Sequence, residues 1–317
     1  MKLLTRDREN VHFLIDRGNP PKISIKPGEK LAVQTIRADD MYLSRENPVF
    51  RDHEHVMEVR SNPVTGPIYI EGAKPGDRLA VTIEDIRLGD CGNEGYYTYV
   101  PGQGLFANPF YPECYPPQTE WCDVRGKSLT LRMGGKDIPV ETEPFIGTIS
   151  VAMKEDVTAS YWSSKEMLGN VDCHHIKKGS TIVMPVNVEG ALLSLGDLHA
   201  KQCAGELLGC AVECDGEVTL SVEIIPWDDP SYFDWPQVNT PRFIGSLGYK
   251  DNNIEQAIRH AVYDIIKRVE NDYHVPFMDA YMVAGQCVNI EICQMLPGAC
   301  AVLATLDRQV LAPFSCK

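Results

Sequence analysis

The sequence predicts a β-dominated α+β fold, in which a β-sandwich-like N-terminal and central region precedes a smaller helix-containing C-terminal portion. Three observations carry this. Strict apolar/polar alternation marks strands in the first two thirds, as in Leu79, Val81 and Ile83 against Thr82 and Glu84. A second run, Val218, Leu220, Val222 and Ile224, repeats the pattern before Pro226 and Asp228-Asp229-Pro230 stop it. The one convincing amphipathic helix comes late, after Asn253.

The elements follow in order. Lys26-Pro27-Gly28-Glu29 leads into Lys30–Val33, and Lys74-Pro75-Gly76-Asp77 leads into Arg78–Val81. Proline presets φ and glycine permits φ > 0, so each is a tight turn feeding a strand. From Gly89 to about Gly126 the periodicity collapses among prolines (Pro101, Pro109, Pro112, Pro116, Pro117) and aromatics (Tyr96, Tyr97, Tyr99, Phe106, Phe110, Tyr111, Tyr115, Trp121). That stretch reads as a long loop, either a site wall or structural packing. Further strands are expected at Leu129–Met133, Ile146–Val151 and Thr181–Val188. Asn253 reads as an N-cap with Gln256 three residues on, and Ile254, Ala257, Ile258, Ala261, Val262, Ile265, Ile266 and Val269 form an apolar face. A second helix is expected over Pro276–Gln286 and a strand over Ala301–Val310. The chain thus divides into 1–88, a loop at 89–127, a β-rich centre at 128–226 carrying the site, and an α/β portion at 227–317.

Composition narrows function. The chain has 317 residues, 30 Lys+Arg against 44 Asp+Glu and a net charge of -14. That charge repels nucleic-acid phosphates and anionic membrane surfaces, and no basic run offsets it. No apolar window is long enough to span a bilayer, and the N-terminus carries no secretory apolar core. The 11 cysteines are odd in number and include no CxxC; Cys210–Cys214 and Cys287–Cys293 match neither a zinc ribbon nor a redox motif. They read as reduced thiols of a cytoplasmic protein. A homodimer or larger homo-oligomer is expected from the aromatic loop and the apolar β content.

Among eight histidines, position decides. His12, His260 and His274 stand alone and read as surface or core residues; His53 and His55 flank Glu54 in what reads as a solvated loop. Asp172-Cys173-His174-His175 differs, because four consecutive residues all offer metal-ligand chemistry. Some twenty-five residues later comes Gly196-Asp197-Leu198-His199, running on to Gly205-Glu206, with apolar Ile182–Leu195 between. A hairpin or crossover brings two such segments together. Asp, His and Glu then suit a divalent cation with a position left for water, a hydrogen-bonded structural cluster, or a metal-free acid/base site.

Several blocks in this order resemble the acetamidase/formamidase family of amide hydrolases. They are Asn62-Pro63-Val64-Thr65-Gly66-Pro67 through Ile70-Glu71-Gly72-Ala73, Pro75-Gly76-Asp77, Pro101-Gly102-Gln103-Gly104-Leu105, Gly169-Asn170-Val171-Asp172, and Pro185-Val186 through Glu189-Gly190-Ala191-Leu192 to Gly196–His199 and Gly205-Glu206. The resemblance implies a β-rich fold and hydrolysis of a small linear or cyclic carboxamide to an acid and ammonia or an amine. It also implies a divalent metal, zinc first with calcium or magnesium as alternatives. Asp172, His199 and Glu206 are its expected ligands. Glu206, His199 and Gln202 are the expected catalytic groups, with Glu206 as ligand or proton shuttle. Asp197 would orient His199, and Asn170 or Gln202 would serve an oxyanion. Two departures stand out. Met167 replaces a usual histidine and Ala204 a usual carboxylate, which leaves His174, His175 or Cys203 to compensate. Two other readings stay open: Cys203 as a nucleophile with His199 as base, and a degenerate, non-catalytic binder of a small molecule or metal.

Overall fold

Two large β-sheets face each other across one apolar core, and helices cover the outer strands of one of them. The computed structural model describes residues 1–58, 62–89, 94–107 and 115–314. In the nine-stranded sheet the order is Lys2–Leu4, Lys30–Thr35, Gly216–Ile225, Arg78–Leu88, Thr181–Pro185, Gln237–Asn239, Phe243–Tyr249, Ala299–Asp307 and Asn289–Leu296. The second sheet runs Ser163–Ser164, Leu168–Asn170, Phe145–Ser150, Leu193–Lys201, Val212–Cys214, Glu94–Tyr99 and Gln118–Asp123, with Val64–Ile70 also pairing to Leu193–Lys201.

Alternation does what the sequence predicts. Leu79, Val81, Ile83, Val218, Leu220 and Val222 are buried and meet Ile146, Leu195 and Leu198 of the opposite sheet. Each such aliphatic side chain contributes roughly 1.5–3 kcal/mol on leaving water. Both Pro-Gly turns form alike: Gly28 and Gly76 have φ of 79° and 98°. The carboxylates of Glu29 and Asp77 accept the N–H groups of Lys26 and Lys74 at 2.8 and 2.9 Å. The chain therefore enters two strands that flank Gly216–Ile225 through the same turn geometry.

The helix Ile254–Tyr273 starts where predicted, with the Asn253 side chain accepting from the Gln256 N–H at 2.9 Å. Ala257, Ala261, Ile265, Ile266 and Val269 bury against Ile244, Val302, Ala304 and Leu306 of the nine-stranded sheet. A second helix spans Phe277–Cys287. The last strand is Ala299–Asp307, not Ala301–Val310: Asp307 accepts from the Gln309 N–H and starts a short helix at Arg308–Leu311.

The stretch expected as a loop at 89–127 contains two paired strands, Glu94–Tyr99 and Gln118–Asp123, with Tyr96 opposite Trp121. Single-residue periodicity missed them because pairing satisfies their backbone while prolines and aromatics crowd the connection. Pro109, Phe110, Tyr111 and Pro112 lie outside the described residues. His53 and His55, expected in a solvated loop, sit on the short helix His53–Glu58.

His12 pairs opposite Val64, and both its ring nitrogens are shielded without a hydrogen-bond partner. Burial, and secondarily the Lys22 charge, pushes its pKa down to about 4. Between about 6.5 and 4 the unfolded chain then binds the extra proton and the folded chain does not. Stability falls as pH drops through that window. The melting midpoint is expected to fall over this range and His12→Gln to flatten the fall; an identical slope in the variant refutes the assignment.

Candidate active site

The site grows from neighbouring strands of the second sheet. Asp197 and His199, two residues apart on Leu193–Lys201, project to the same face. Across one strand boundary Phe145 stands opposite His199, and across the other stands Glu213. Asp172 follows the strand Leu168–Asn170, and Gln294 arrives from the nine-stranded sheet, its Nε2 donating to Asp172 Oδ2. Glu206 sits in the turn after Leu193–Lys201.

These groups are dry. Asp172 and His199 are each 1% exposed and Asp197 3%, with Glu206 and Glu213 also buried. Four carboxyl groups therefore surround one imidazole in low dielectric, an arrangement that needs protons or a cation. His199 Nε2 donates to Asp197 Oδ1 at 3.1 Å and lies 3.3 Å from Glu213 Oε2. The opposite nitrogen, Nδ1, faces Asp172 Oδ1 at 3.9 Å, too far for a hydrogen bond. Both of those atoms, together with Glu206 Oε2, are shielded from solvent without any partner.

Electrostatics follow from the crowding. Burial lowers the His199 pKa, but the Glu213 and Asp197 carboxylates outweigh it and hold the imidazole well above its ordinary value. Burial, then the Asp197 charge, raises Asp172 to about 7, against the pull of His199. Burial and Asp172 lift Glu206 well above the carboxylate range. Glu213 is raised by burial, against the pull of His199. Protons thus fill the cluster where a cation could, and three unpartnered donor atoms of Asp172, His199 and Glu206 are the kind a divalent ion accepts. Asp172, Asp197 and His199 also bring ligand atoms within 4.8 Å of one another. Asp172, Asp197 and Glu206 adopt φ of 48°, 58° and 49°, a left-handed conformation that non-glycine residues rarely take.

A cavity of about 220 Å³ opens over the cluster. Asn170, Asp197, His199, Glu206, Glu213 and Gln294 form its polar floor, under walls from Phe50, Val56, Tyr96, Tyr161, Trp162 and Leu296 among others. The aromatic stretch is therefore partly a site wall, since Tyr96, Thr98, Val100, Gln103 and Gly104 line the cavity. His53 lines it too, held by Gln103 Nε2 at 3.2 Å. Arg37, paired with buried Asp39, sits over the Tyr96 and Trp121 rings at 5.2 Å and stiffens that wall.

Of the sequence candidates, Asp172, Asp197 and His199 bring ligand atoms together; Asn170, Asp197, His199 and Glu206 line the cavity, and Asp172 lies just behind its floor. Gln202 is not among the lining residues; its Nε2 donates to the Asp172 carbonyl at 3.2 Å and props that residue. Cys203 is exposed and also absent from the wall. Met167 packs with Ile15, Val64 and Met153 in a small apolar cluster, so the position of the family's usual histidine is filled by core in this chain. Sequence reading missed Glu213, Gln294, Asn62 and Thr148. Asn62 Nδ2 donates to Asp197 Oδ2 at 3.2 Å, and Thr148 Oγ1 lies 3.1 Å from the same oxygen. The available signal was a lone glutamate between Val212 and Cys214 in an otherwise apolar strand.

Fold and site together define a two-sheet β-sandwich with a buried carboxylate–imidazole cluster beneath a small, largely apolar cavity. The chain belongs to the acetamidase/formamidase family, whose model matches residues 4–168 and 162–306. The acetamidase of Mycolicibacterium smegmatis is 27% identical over 266 residues, covering 65% of this chain and 64% of that protein. Across the curated relatives the chain spans 60% to 65% of their length. The crystal structure of an acetamidase from Bacillus halodurans superposes with a TM-score of 0.87 at 26% identity, covering 99% of each chain. That of an acetamidase from Yersinia enterocolitica gives 0.89 at 27% identity, over 98% of this chain and 93% of that one.

Proposed function

We propose that this protein hydrolyses a small carboxamide to a carboxylic acid and ammonia or an amine, in the cavity above Asp172, Asp197, His199 and Glu206. The observation that carries the reading is that Asp172, Asp197 and His199 bring ligand atoms within 4.8 Å of one another, beside a cavity whose floor includes Asp197, His199 and Glu206, with Asp172 Oδ1, His199 Nδ1 and Glu206 Oε2 shielded and without a hydrogen-bond partner. The family relatives named acetamidase and formamidase support the reaction class. A cavity of about 220 Å³ with apolar walls suits a compact amide rather than a polymer.

Asp172, His199 and Glu206 would hold a divalent cation, with zinc fitting the nitrogen and oxygen donor set. When bound, the cation supplies Lewis acidity toward a carbonyl and acidifies water. The chain's own residues do the rest. Asp197 accepts from His199 Nε2, and the Glu213 carboxylate lies 3.3 Å from the same nitrogen, fixing the ring so that Nδ1 faces the cluster. Asn170 keeps its Oδ1 against the Thr148 hydroxyl at 2.7 Å, so its amide N–H₂ is the donor it offers the cavity. Glu206 has two mutually exclusive roles here: as a carboxylate it is the third ligand, and where the ion is held by the other groups its buried carboxyl, which keeps a proton more firmly than an ordinary glutamate, passes that proton to the departing nitrogen. Gln202, which does not line the cavity, would position Asp172 through its backbone carbonyl.

Metal content and ammonia release from formamide, acetamide and cyclic amides test this directly. Glu206→Gln is expected to cut turnover by about 10²-fold or more while metal is retained if the residue is a shuttle; metal is lost as well if it is a ligand. Metal bound without turnover of any amide would leave a binding protein on this scaffold and overturn the enzymatic reading. Cys203→Ser is expected to keep the wild-type rate within about twofold, since the thiol is exposed and outside the cavity. A hundredfold loss would restore a thiol mechanism.

A further inference from the structure

A second cluster of ligand-type side chains lies beside the cavity, and none of its members lines it: His174, His175 and Glu291. His174 Nδ1 is 3.1 Å from Glu291 Oε1, and His175 Nε2 is 3.4 Å from Glu291 Oε2. Although 3.1 Å from His174 Nδ1, Glu291 Oε1 has no aligned hydrogen-bond donor and is shielded from water. Two donor atoms at that separation, without a proton directed between them, are placed as ligands of a common ion would be. Two atoms bonded to a tetrahedral zinc at about 2.0–2.1 Å lie about 3.3 Å apart, close to the separation of His174 Nδ1 and Glu291 Oε1, while His175 Nε2 is hydrogen-bonded to the other oxygen, Oε2, and stands ready beside the pair. One ligand atom from each of the three residues falls within 4.8 Å of the others.

The surroundings hold this geometry. The two imidazoles lie 4.2 Å apart, tilted by 38°, and are met edge-on by Phe145 at 6.5 Å and Phe243 at 5.1 Å. The three side chains are 20–26% exposed, so water can reach a fourth position. The nearby charges of Lys177 and Glu143 are opposite in sign. Two imidazoles and one carboxylate select a zinc-type ion over calcium or magnesium, which prefer all-oxygen sites.

We propose that His174, His175 and Glu291 form a second zinc-type site, separate from the catalytic cluster. Its place in the fold gives it a consequence. Residues 172–175 and the strand Asn289–Leu296 build both clusters, since Asp172 is hydrogen-bonded to Gln294 of the cavity floor. An ion between His174, His175 and Glu291 ties the same two segments together a second time and pins Asp172 against Gln294.

The test uses the full chain, depleted of metal and titrated with Zn²⁺ alone. Glu291→Gln and His175→Ala are each expected to bind one equivalent fewer than wild type, and Asp172→Asn is expected to keep this equivalent. A crystal soaked in Zn²⁺ should show anomalous density among the three side chains at the zinc edge. Equal stoichiometry in wild type and a folded Glu291→Gln overturns the proposal, as does anomalous density confined to Asp172 and His199. Should Glu291→Gln fail to fold, the wild-type anomalous map decides alone. Density at the second site only would leave this proposal standing and remove metal from the catalytic cluster.

Discussion

Asp172→Asn is expected to lower kcat/KM for amide hydrolysis by about 10³-fold or more, equivalent to roughly 4 kcal/mol of lost transition-state stabilisation. The substitution keeps the shape of the side chain and its contact with Gln294 but removes the charge from the oxygen facing His199 Nδ1. The catalytic metal should be lost with the activity. Stability moves the other way. In metal-free wild type the folded Asp172 binds its proton up to about pH 7, whereas the unfolded one releases it near 3.8. The folded state therefore holds more protons between those values, and stability falls as pH rises through them. Asp172→Asn should remove that fall. Wild-type turnover in the variant would place the chemistry elsewhere in the molecule.

Gly147→Ala is expected to damage the site almost as severely without removing any functional group. A Cβ on Gly147 would lie 2.5 Å from Asp197 Oδ2, 2.6 Å from Asp172 Oδ1 and 2.8 Å from His199 Cε1. None of the three has a free path away. Asp197 is held by Asn62, His199 packs edge-on against Phe145 at 4.8 Å, and Asp172 is tied to Gln294. One methyl group would push three residues apart together. Overpacking of this kind costs about 1–3 kcal/mol of stability. Relieving these contacts moves the donors by up to about 1 Å, which should cost about 10²-fold in kcat/KM. Melting midpoint, metal content and kinetics on the same preparation separate the two effects. A variant with wild-type metal content and rate would show that these three side chains do not act as one site.

Much of the local structure was legible because it depends on neighbours in sequence. Leu79, Val81 and Ile83 alternate because a pleated strand turns successive side chains to opposite faces. Asn253 caps its helix because its side chain reaches an N–H three residues on. Asp172, His199 and Glu206 could be singled out because their blocks are short and contiguous. Cys203 drew attention for the same reason, and the fold turns it to solvent. Met167 shows the converse: its chemistry excluded it as a hard ligand, yet only packing revealed that it fills core with Ile15 and Val64.

By itself the sequence determined the β-dominated class, the two Pro-Gly turns, the C-terminal helices and the principal acidic and histidine candidates. Each of these follows from periodicity, dihedral preference or side-chain chemistry within a short window. Only the tertiary structure decided that Glu213 stands opposite His199, that Gln294 reaches Asp172 across 122 positions, and that Gly147 must be bare. It also decided that His174 and His175 face Glu291, away from the cavity. The physical reason is strand register. Backbone pairing between distant segments fixes which side chains meet, and a shift of one residue would turn each of them to the opposite face.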